Sequence, residues 1–585
     1  MAQCLLDNIF MKKRYWFFIG FLSGCYALFA QKHDHIWVLG YRYGSNTLSN
    51  GIYLTFEDSM QIAYRPKPMP LGRPNATICD SSGRLLLLSN GCYIETAEGQ
   101  KIAGSDTLNP GIGNNLFCKS SPSTGGYNIA NSMVLLPDPG RSRRYHFFHL
   151  PIVQLGTYVT LYRVLHTVVE QQADSSWKLL YKSVGVVEDT MSYDGLHAVK
   201  HANGRDWWVV GAKRNSNTYY FLLLSPQGIR VHQQTIGQYP DREDLGSICF
   251  SPDGRRMARY GVRDDLILFD FDRCTGTLSR PLYIPIANDS DQEYPSGLAF
   301  SADSRFLYLG ALWEAYQLDM QAGDIAGSLR TIGRWDPAAR CPFLVAYAQM
   351  ELGPDGRIYS RSADGQSCMH RIKNPEKAGT DSGVQYRHYE LDYSFVDFAH
   401  FPNFRLGPID GSACDTLGLD NHPLAGWRWE EQGLSAAFTS VSWYEPERWQ
   451  WTFGDGAGST VRHPTHVYAR AGEYEVCLVV SNVYGSDTLC RVVRVGTVST
   501  DAEPGWTDVE PGRLHPNPST GTLQWSGSGV PATARVFDGL GRSSGIFEFQ
   551  SERLELGHLP AGLYSVQVFD AAGGLLVTQK VILQR

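Results

Sequence analysis

The chain has 585 residues, too many for one ordinary core, so two to four domains are expected. Charged residues make up 19%, aromatics 12%, and there are 59 glycines, which favours an all-β chain rich in tight turns over a helical one. A formal net charge of −7 with no long basic run argues against nucleic acid as a partner, because phosphate binding needs clustered Lys and Arg.

A basic cluster, Lys12-Lys13-Arg14, precedes an uncharged stretch over residues 15–30, and Gln31-Lys32-His33-Asp34 follows. A positive segment, an apolar segment and a small residue at the exit predict a signal peptide over residues 1–30, cleaved after Ala30, with Met11 an alternative start. Sixteen residues are short for a bilayer, so no transmembrane span is expected in the mature chain. Leu22-Ser23-Gly24-Cys25 resembles a lipobox that would lipidate Cys25, but the apolar stretch runs on to Phe29 and favours Ala30. Export makes disulfides the default for the ten remaining cysteines, none of which forms a Cys-x-x-Cys pair. Nearest neighbours give Cys79/Cys92, Cys249/Cys274, Cys341/Cys368 and Cys477/Cys490, leaving Cys118 and Cys414 to pair across a domain edge.

Between residues 31 and 410 one pattern returns six times: an apolar run, a tight polar turn, then a second apolar run. The turns are Asp80-Ser81-Ser82-Gly83, Pro137-Asp138-Pro139-Gly140, Ser192-Tyr193-Asp194-Gly195, Pro252-Asp253-Gly254, Ala302-Asp303-Ser304 and Pro354-Asp355-Gly356. Their last residues, 83, 140, 195, 254, 304 and 356, are 50–59 residues apart. Pro at a corner presets φ and Gly accepts positive φ, which is hairpin chemistry. One such hairpin per fifty-odd residues predicts the four-stranded blades of a β-propeller. The segment opening at Ile36-Trp37-Val38-Leu39 adds a blade, for seven in all. Two β-sandwiches are the alternative, but sandwiches place turns about every 8–12 residues without a longer period. The Gly-His…Trp-Asp signature of WD-type propellers is absent.

A linker over 411–423 leads to Trp451-Thr452-Phe453-Gly454-Asp455-Gly456, His463-Pro464-Thr465-His466-Val467-Tyr468 and the run from Gly472 to Asn482. With these motifs residues 424–496 resemble a PKD domain, an immunoglobulin-like β-sandwich common in surface proteins, with Thr452 where the family usually has Asp. The run from Glu473 to Val480 alternates as a half-buried strand, and residues 487–495 read as its hairpin partner. Cys477 and Cys490 lie six residues before and five after the middle of that turn, near cross-strand register for a disulfide. The Gly454-Asp455-Gly456 loop offers calcium a single carboxylate, so a turn-stabilising Asp is the stronger expectation and calcium the weaker one.

A Thr/Ser/Glu/Pro-containing linker spans 497–512. Beyond it come Leu514-His515-Pro516-Asn517-Pro518-Ser519-Thr520-Gly521, Val536-Phe537-Asp538-Gly539, Leu559-Pro560-Ala561-Gly562-Leu563-Tyr564 and Lys580-Val581-Ile582-Leu583. In order, spacing and position residues 513–585 resemble the type A sorting domain of type IX secretion, a small β-sandwich, with Pro516, Asn517, Pro518, Gly521, Gly562 and Tyr564 as its motif residues. The resemblance implies the secretion machinery as a partner and delivery across the outer membrane, as a secreted or surface protein. Bacteria with this machinery often O-glycosylate Asp-Ser/Thr-apolar triplets, which here name Ser59, Thr107, Thr190, Thr416 and Thr488 as weak candidates.

No Gly-x-Ser-x-Gly elbow, Walker loop or His-Glu-x-x-His occurs, so no catalytic residue or cofactor site is assigned. His197 and His201 have metal-like spacing only on a helix, and a strand or loop is expected here. Asp264-Asp265 and Asp289-Ser290-Asp291-Gln292-Glu293 read as solvated loop charges. Two functions stay open. The first is a non-enzymatic binding or adhesion protein that captures an extracellular glycan or protein on the propeller face. The second is a secreted propeller hydrolase or lyase acting on polysaccharide with carboxylates in the central channel.

Overall fold

The computed structural model describes residues 31–40, 49–56, 60–67, 69–73, 75–119, 126–239, 245–287, 295–335, 347–361, 366–395, 397–496, 513–516, 519–526, 530–537, 543–571 and 575–584. The expected signal peptide with Cys25, and Ser59, 289–293, Cys341, Asn517 and Pro518, lie outside these residues. The described chain is all-β, and it separates into two units, 1–496 and 497–585.

The first unit opens with two three-stranded sheets, at 36–67 and 76–96, followed by an eight-stranded sheet over 133–235. Three four-stranded sheets complete the region, at 247–284, 297–334 and 350–395. The eight-stranded sheet is two packets sharing one strand, Trp177–Lys200, whose register slips between Met191 and Leu196. Counting its halves separately, the described residues form seven antiparallel packets of three to five strands. Strands such as Leu85–Ser89 and Thr218–Ser225 are apolar along nearly their whole length, because each packet is covered on both faces by its neighbours. Their first strands lie side by side in chain order, from Ile36–Leu39 against Ala76–Cys79 to Gly297–Phe300 against Met350–Leu352. The last packet also meets the first. Trp37 packs edge-on to Tyr359 at 5.8 Å, and Phe56 meets the same ring at 5.7 Å.

Five of the six repeated turns join the first and second strands of a packet. In each, an Asp side chain accepts the backbone N–H two residues on: Asp80 from Ser82, Asp138 from Gly140, Asp253 from Arg255, Asp303 from Arg305 and Asp355 from Arg357. The sixth, Ser192-Tyr193-Asp194-Gly195, departs from the expectation. It lies at the slip in Trp177–Lys200 and turns no hairpin. Its Asp194 accepts from Ser192 Oγ at 2.7 Å and from Arg259 Nε at 2.8 Å, both side chains buried. The equivalent hairpin comes later, at Asn203-Gly204, where Asn203 Oδ1 accepts from Arg205 and Gly204 has φ +73°.

Three expected pairings are corrected. Cys92 bonds Cys118 and Cys274 bonds Cys414, so Cys79/Cys92, Cys249/Cys274 and Cys118/Cys414 do not form. Cys79 and Cys249 are free thiols on strands whose side chains point into cores, out of reach of the loop cysteines. Burial pushes the Cys79 thiol up to about 12 and that of Cys249 well above its ordinary value. Cys368 is disulfide-bonded, and Cys341 is outside the described residues.

Residues 424–496 pack two sheets around Trp427, Phe438, Trp451, Phe453, Val476, Leu478 and Val480. Strands Gly472–Asn482 and Gly485–Val495 pair with Cys477 directly opposite Cys490, and the two are joined. Val476, Leu478 and Val480 point inward, so the disulfide lies on the outer face. Residues 411–423 are anchored: Cys414 is tied to Cys274, and buried Asn421 donates to Pro408 O and to Asp410. Arg428 donates to both oxygens of Glu376 at 3.0 and 2.9 Å, and Lys373 pairs with Glu430, which docks this sandwich on the preceding region.

The second unit, described by itself, is a three-stranded sheet and a four-stranded sheet enclosing Leu523, Trp525, Val536, Leu554, Val566 and Val581. Gly521 has φ +126°, and a Cβ there would meet Gly557 Cα at 2.4 Å, so only Gly fits. Gly562 opens the strand Gly562–Phe569, and buried Tyr564 donates its hydroxyl to Pro560 O at 2.9 Å. Pro516 follows the strand Arg513–His515.

Candidate functional site

After the last strand of the seventh packet, residues 397–409 join no sheet and instead run across the first strands of several packets. The sequence there, Asp397-Phe398-Ala399-His400-Phe401-Pro402-Asn403-Phe404-Arg405, places an aromatic every third residue and buries each one. Phe398 and Phe401 pack on Trp37, and Phe404 packs on His33 and Trp207.

Polar residues of this segment meet buried polar partners at each level. At one end Arg361 Nε donates to Asp397 Oδ1 at 2.9 Å, with both side chains almost fully buried. Phe398 N donates to Gln349 Oε1, whose amide donates to Asn131 Oδ1, and Asn131 donates onward to Ser247 Oγ. In the middle, His400 Nδ1 lies 3.3 Å from Glu351 Oε2, and the rings of His400 and His197 meet edge to face at 4.3 Å. At the far end, Arg405 makes a bidentate pair with Asp34, two bonds of 2.6 Å between groups 371 residues apart. The Arg405 guanidinium also stacks over Trp443, from the sandwich, at 5.2 Å.

This is the acid, base and Arg constellation that a hydrolase or lyase needs, and its protonation states follow from burial. Desolvation holds His400 near 4, and desolvation together with His400 holds His197 well below 6.5. Burial raises Glu351 well above the usual carboxylate range and Asp397 to about 6. Burial therefore favours the neutral forms of Glu351, His400 and His197 in the middle of the site. What space the segment leaves is a cavity of ≈ 70 Å³, lined by His197, Cys249, Glu351, His400, Arg405 and Trp443. That admits a few waters and no sugar ring.

Of the residues expected from sequence, His197 belongs to this cluster and His201 does not. His201 Nε2 bonds Cys274 O, and among the described residues no group of His, Cys, Asp and Glu is placed to hold a metal ion. Asp265 is not a free loop charge but accepts from Tyr283 and Ile286 N, tying its strand to the neighbouring one. Asp455 accepts from Ala457 N at 3.0 Å and bonds His466 Nε2 at 2.7 Å, so both its oxygens are engaged by the protein. Thr416 and Thr488 are exposed, while Thr107 and Thr190 are half-buried. Sequence reasoning missed Glu351, His400, Asp34 and Arg405. The run of phenylalanines at 398, 401 and 404, which fits no strand alternation, is the signal that would have marked the segment.

Among the described residues no helix is long and apolar enough to cross a membrane. No curated protein matches the sequence. The chain is similar to the PKD1 domain of Vibrio anguillarum Epp, with 32% identity over 13% of this chain and 93% of that one, and a TM-score of 0.12. It is similar to the PKD1 domain of the Vibrio cholerae metalloprotease PrtV, with 34% identity over 13% of this chain and 99% of that one, TM-score 0.13. A protein from Lactobacillus plantarum is 11% identical over 73% of this chain and 95% of its own, TM-score 0.32. The PKD domain family matches residues 430–496, and that part of the chain is a PKD domain.

Proposed function

We propose that this chain is an exported, non-enzymatic binding protein: a seven-bladed β-propeller over 31–410, the PKD domain, and a type A sorting domain over 513–585 read by the type IX secretion machinery. One observation carries the non-enzymatic part. The acid–base pair next to the ≈ 70 Å³ cavity, Glu351 with His400, is about nine-tenths buried beneath the chain's own residues 397–405. A polymer substrate cannot reach it, so a ligand, glycan or protein, binds on the outside.

Seven packets support the blade count. A single segment touching the first, fourth, fifth and seventh packets supports a closed ring, because a row of sheets in chain order brings these together only by wrapping around an axis. The bonds Cys92–Cys118, Cys274–Cys414 and Cys477–Cys490 support an oxidising compartment. The motif residues at 514–521 and 559–564, on a separate β-sandwich, support the sorting domain. The second reading, a propeller hydrolase or lyase, has the Glu351–His400 pair in its favour and the filled axis against it.

The sorting assignment is tested by deleting residues 513–585 in a host with type IX secretion. The truncated chain is expected to stay in the periplasm while the intact chain reaches the surface or medium. Surface delivery of the truncated form would overturn it.

A further inference from the structure

A cavity larger than the one beside residues 397–405 lies elsewhere in the first unit. The second packet has three strands, and where a fourth would pair, residues 101–102 touch the edge strand Ile94–Thr96 before the chain leaves it. The stretch that follows is anchored by Ile102 and Leu108 in the core and by the Cys92–Cys118 bond. Between this stretch and the packet lies a groove of ≈ 570 Å³, within the range of small-ligand sites.

The lining is mixed in a particular way. Tyr93 and Phe117 contribute aromatic rings, and Phe117 is held edge-on by Tyr127 at 6.1 Å. Glu95, 2% exposed, accepts a hydrogen bond from the Tyr93 hydroxyl. Lys101 pairs with Asp106 at 2.7 Å. Asn114, 2% exposed, opens a π-helical turn, Asn114–Lys119, and its Nδ2 has no hydrogen-bond partner among the described residues. A buried donor left unpaired costs free energy, and a ligand oxygen at the groove would recover it. π-turns recur at functional sites. The charges on the walls, Lys101 and Lys119 against Glu95 and Asp106, balance. That disfavours an anion or cation and favours a neutral ligand with both apolar faces and hydroxyl edges.

We propose that this groove binds a neutral oligosaccharide segment of one or two sugar rings, one ring face on Phe117 and hydroxyls directed at Asn114 and Glu95. The inference deepens the binding reading above and names its site and ligand class.

The test uses the mature chain, residues 31–585, titrated with cellotriose, mannotriose, laminaritriose and tri-N-acetylchitotriose under saturation-transfer NMR. A heparin disaccharide serves as the anionic comparison. At least one neutral trisaccharide is expected to bind at millimolar concentration or below. Phe117→Ala and Glu95→Gln, each with an unchanged melting temperature, are expected to weaken it by about tenfold or more. If Phe117→Ala shifts the melting temperature, Glu95→Gln alone decides. Three results would overturn the proposal: binding unchanged in both variants, binding of the heparin disaccharide only, or no binding by any neutral probe. Unchanged binding leaves the binding reading standing with its site elsewhere. The sorting-domain deletion, scored by location, is independent of all three.

Discussion

The pair Asp34–Arg405 offers the sharpest perturbation, because it ties the start of the first packet to the segment 397–409. Both side chains are about nine-tenths buried, and the two bonds are 2.6 Å each. Asp34→Ala leaves the guanidinium buried with its carboxylate gone, and only the Trp443 face remains to it. Breaking one side of a buried, bidentate pair costs about 3–5 kcal/mol, chiefly the penalty of an uncompensated charge. Removing both charges with Asp34→Ala and Arg405→Met relieves that penalty, so the double variant is expected to lose less than Asp34→Ala alone. The assay is urea unfolding of the mature chain followed by tryptophan fluorescence, which reports Trp37, Trp207 and Trp443 near the segment. A loss below about 0.5 kcal/mol for Asp34→Ala, within the range of ordinary surface substitutions, would refute the reasoning. It would mean that residues 397–409 are not locked in place.

Replacing Cys477 and Cys490 by Ala opens a loop with a sequence separation of 13, and chain entropy predicts a loss of about 3 kcal/mol in the PKD domain. Differential scanning calorimetry is expected to show a lowered transition for that domain alone, and an unchanged thermogram would contradict it. Six histidines with strongly lowered values set the acid response. Burial holds His33, His400 and His463 near 4, His149 and His166 near 3, and desolvation with His400 holds His197 well below 6.5. The unfolded chain protonates them near 6.5 and the folded chain does not, so stability falls as pH drops from about 6.5 to about 4. Glu351 and Asp397, with raised values, act in the opposite sense over part of this window but are fewer. Urea midpoints are expected to be lower at pH 5 than at pH 7, and His400→Phe is expected to flatten the difference. A midpoint higher at pH 5 would contradict the assignment.

What was legible in the sequence was what is local. An Asp two residues ahead of the backbone N–H it accepts, with a residue of positive φ between them at Gly254, Ser304 and Gly356, marked three hairpins without any long-range information, and Asp80, accepting from Ser82 and Arg84 around Gly83, marked a fourth. The same local signature misled at Asp194-Gly195, because an Asp that answers a buried Arg259 sixty-five residues away looks identical in sequence to one that closes a turn. Cysteine pairing failed for a related reason. Nearest-neighbour counting cannot see that Cys79 and Cys249 point into cores while Cys274 reaches Cys414 across 140 residues. The cluster around residues 397–405 was illegible because its contacting pairs join His400 to Glu351 and His197 and Arg405 to Asp34, and no short window holds both members of any pair. The groove beside Cys92–Cys118 was hidden likewise, since Glu95 and Asn114 carry no motif and acquire meaning only where the second packet stops at three strands.

Whether the sealed Glu351–His400 pair is packing or chemistry can be measured directly. The mature chain is incubated with a panel of neutral and acidic polysaccharides, and reducing ends and unsaturated uronates are followed with time, alongside Glu351→Gln. The account predicts no product above the protein-free blank for either form. Product release by the mature chain that disappears in a folded Glu351→Gln would contradict it.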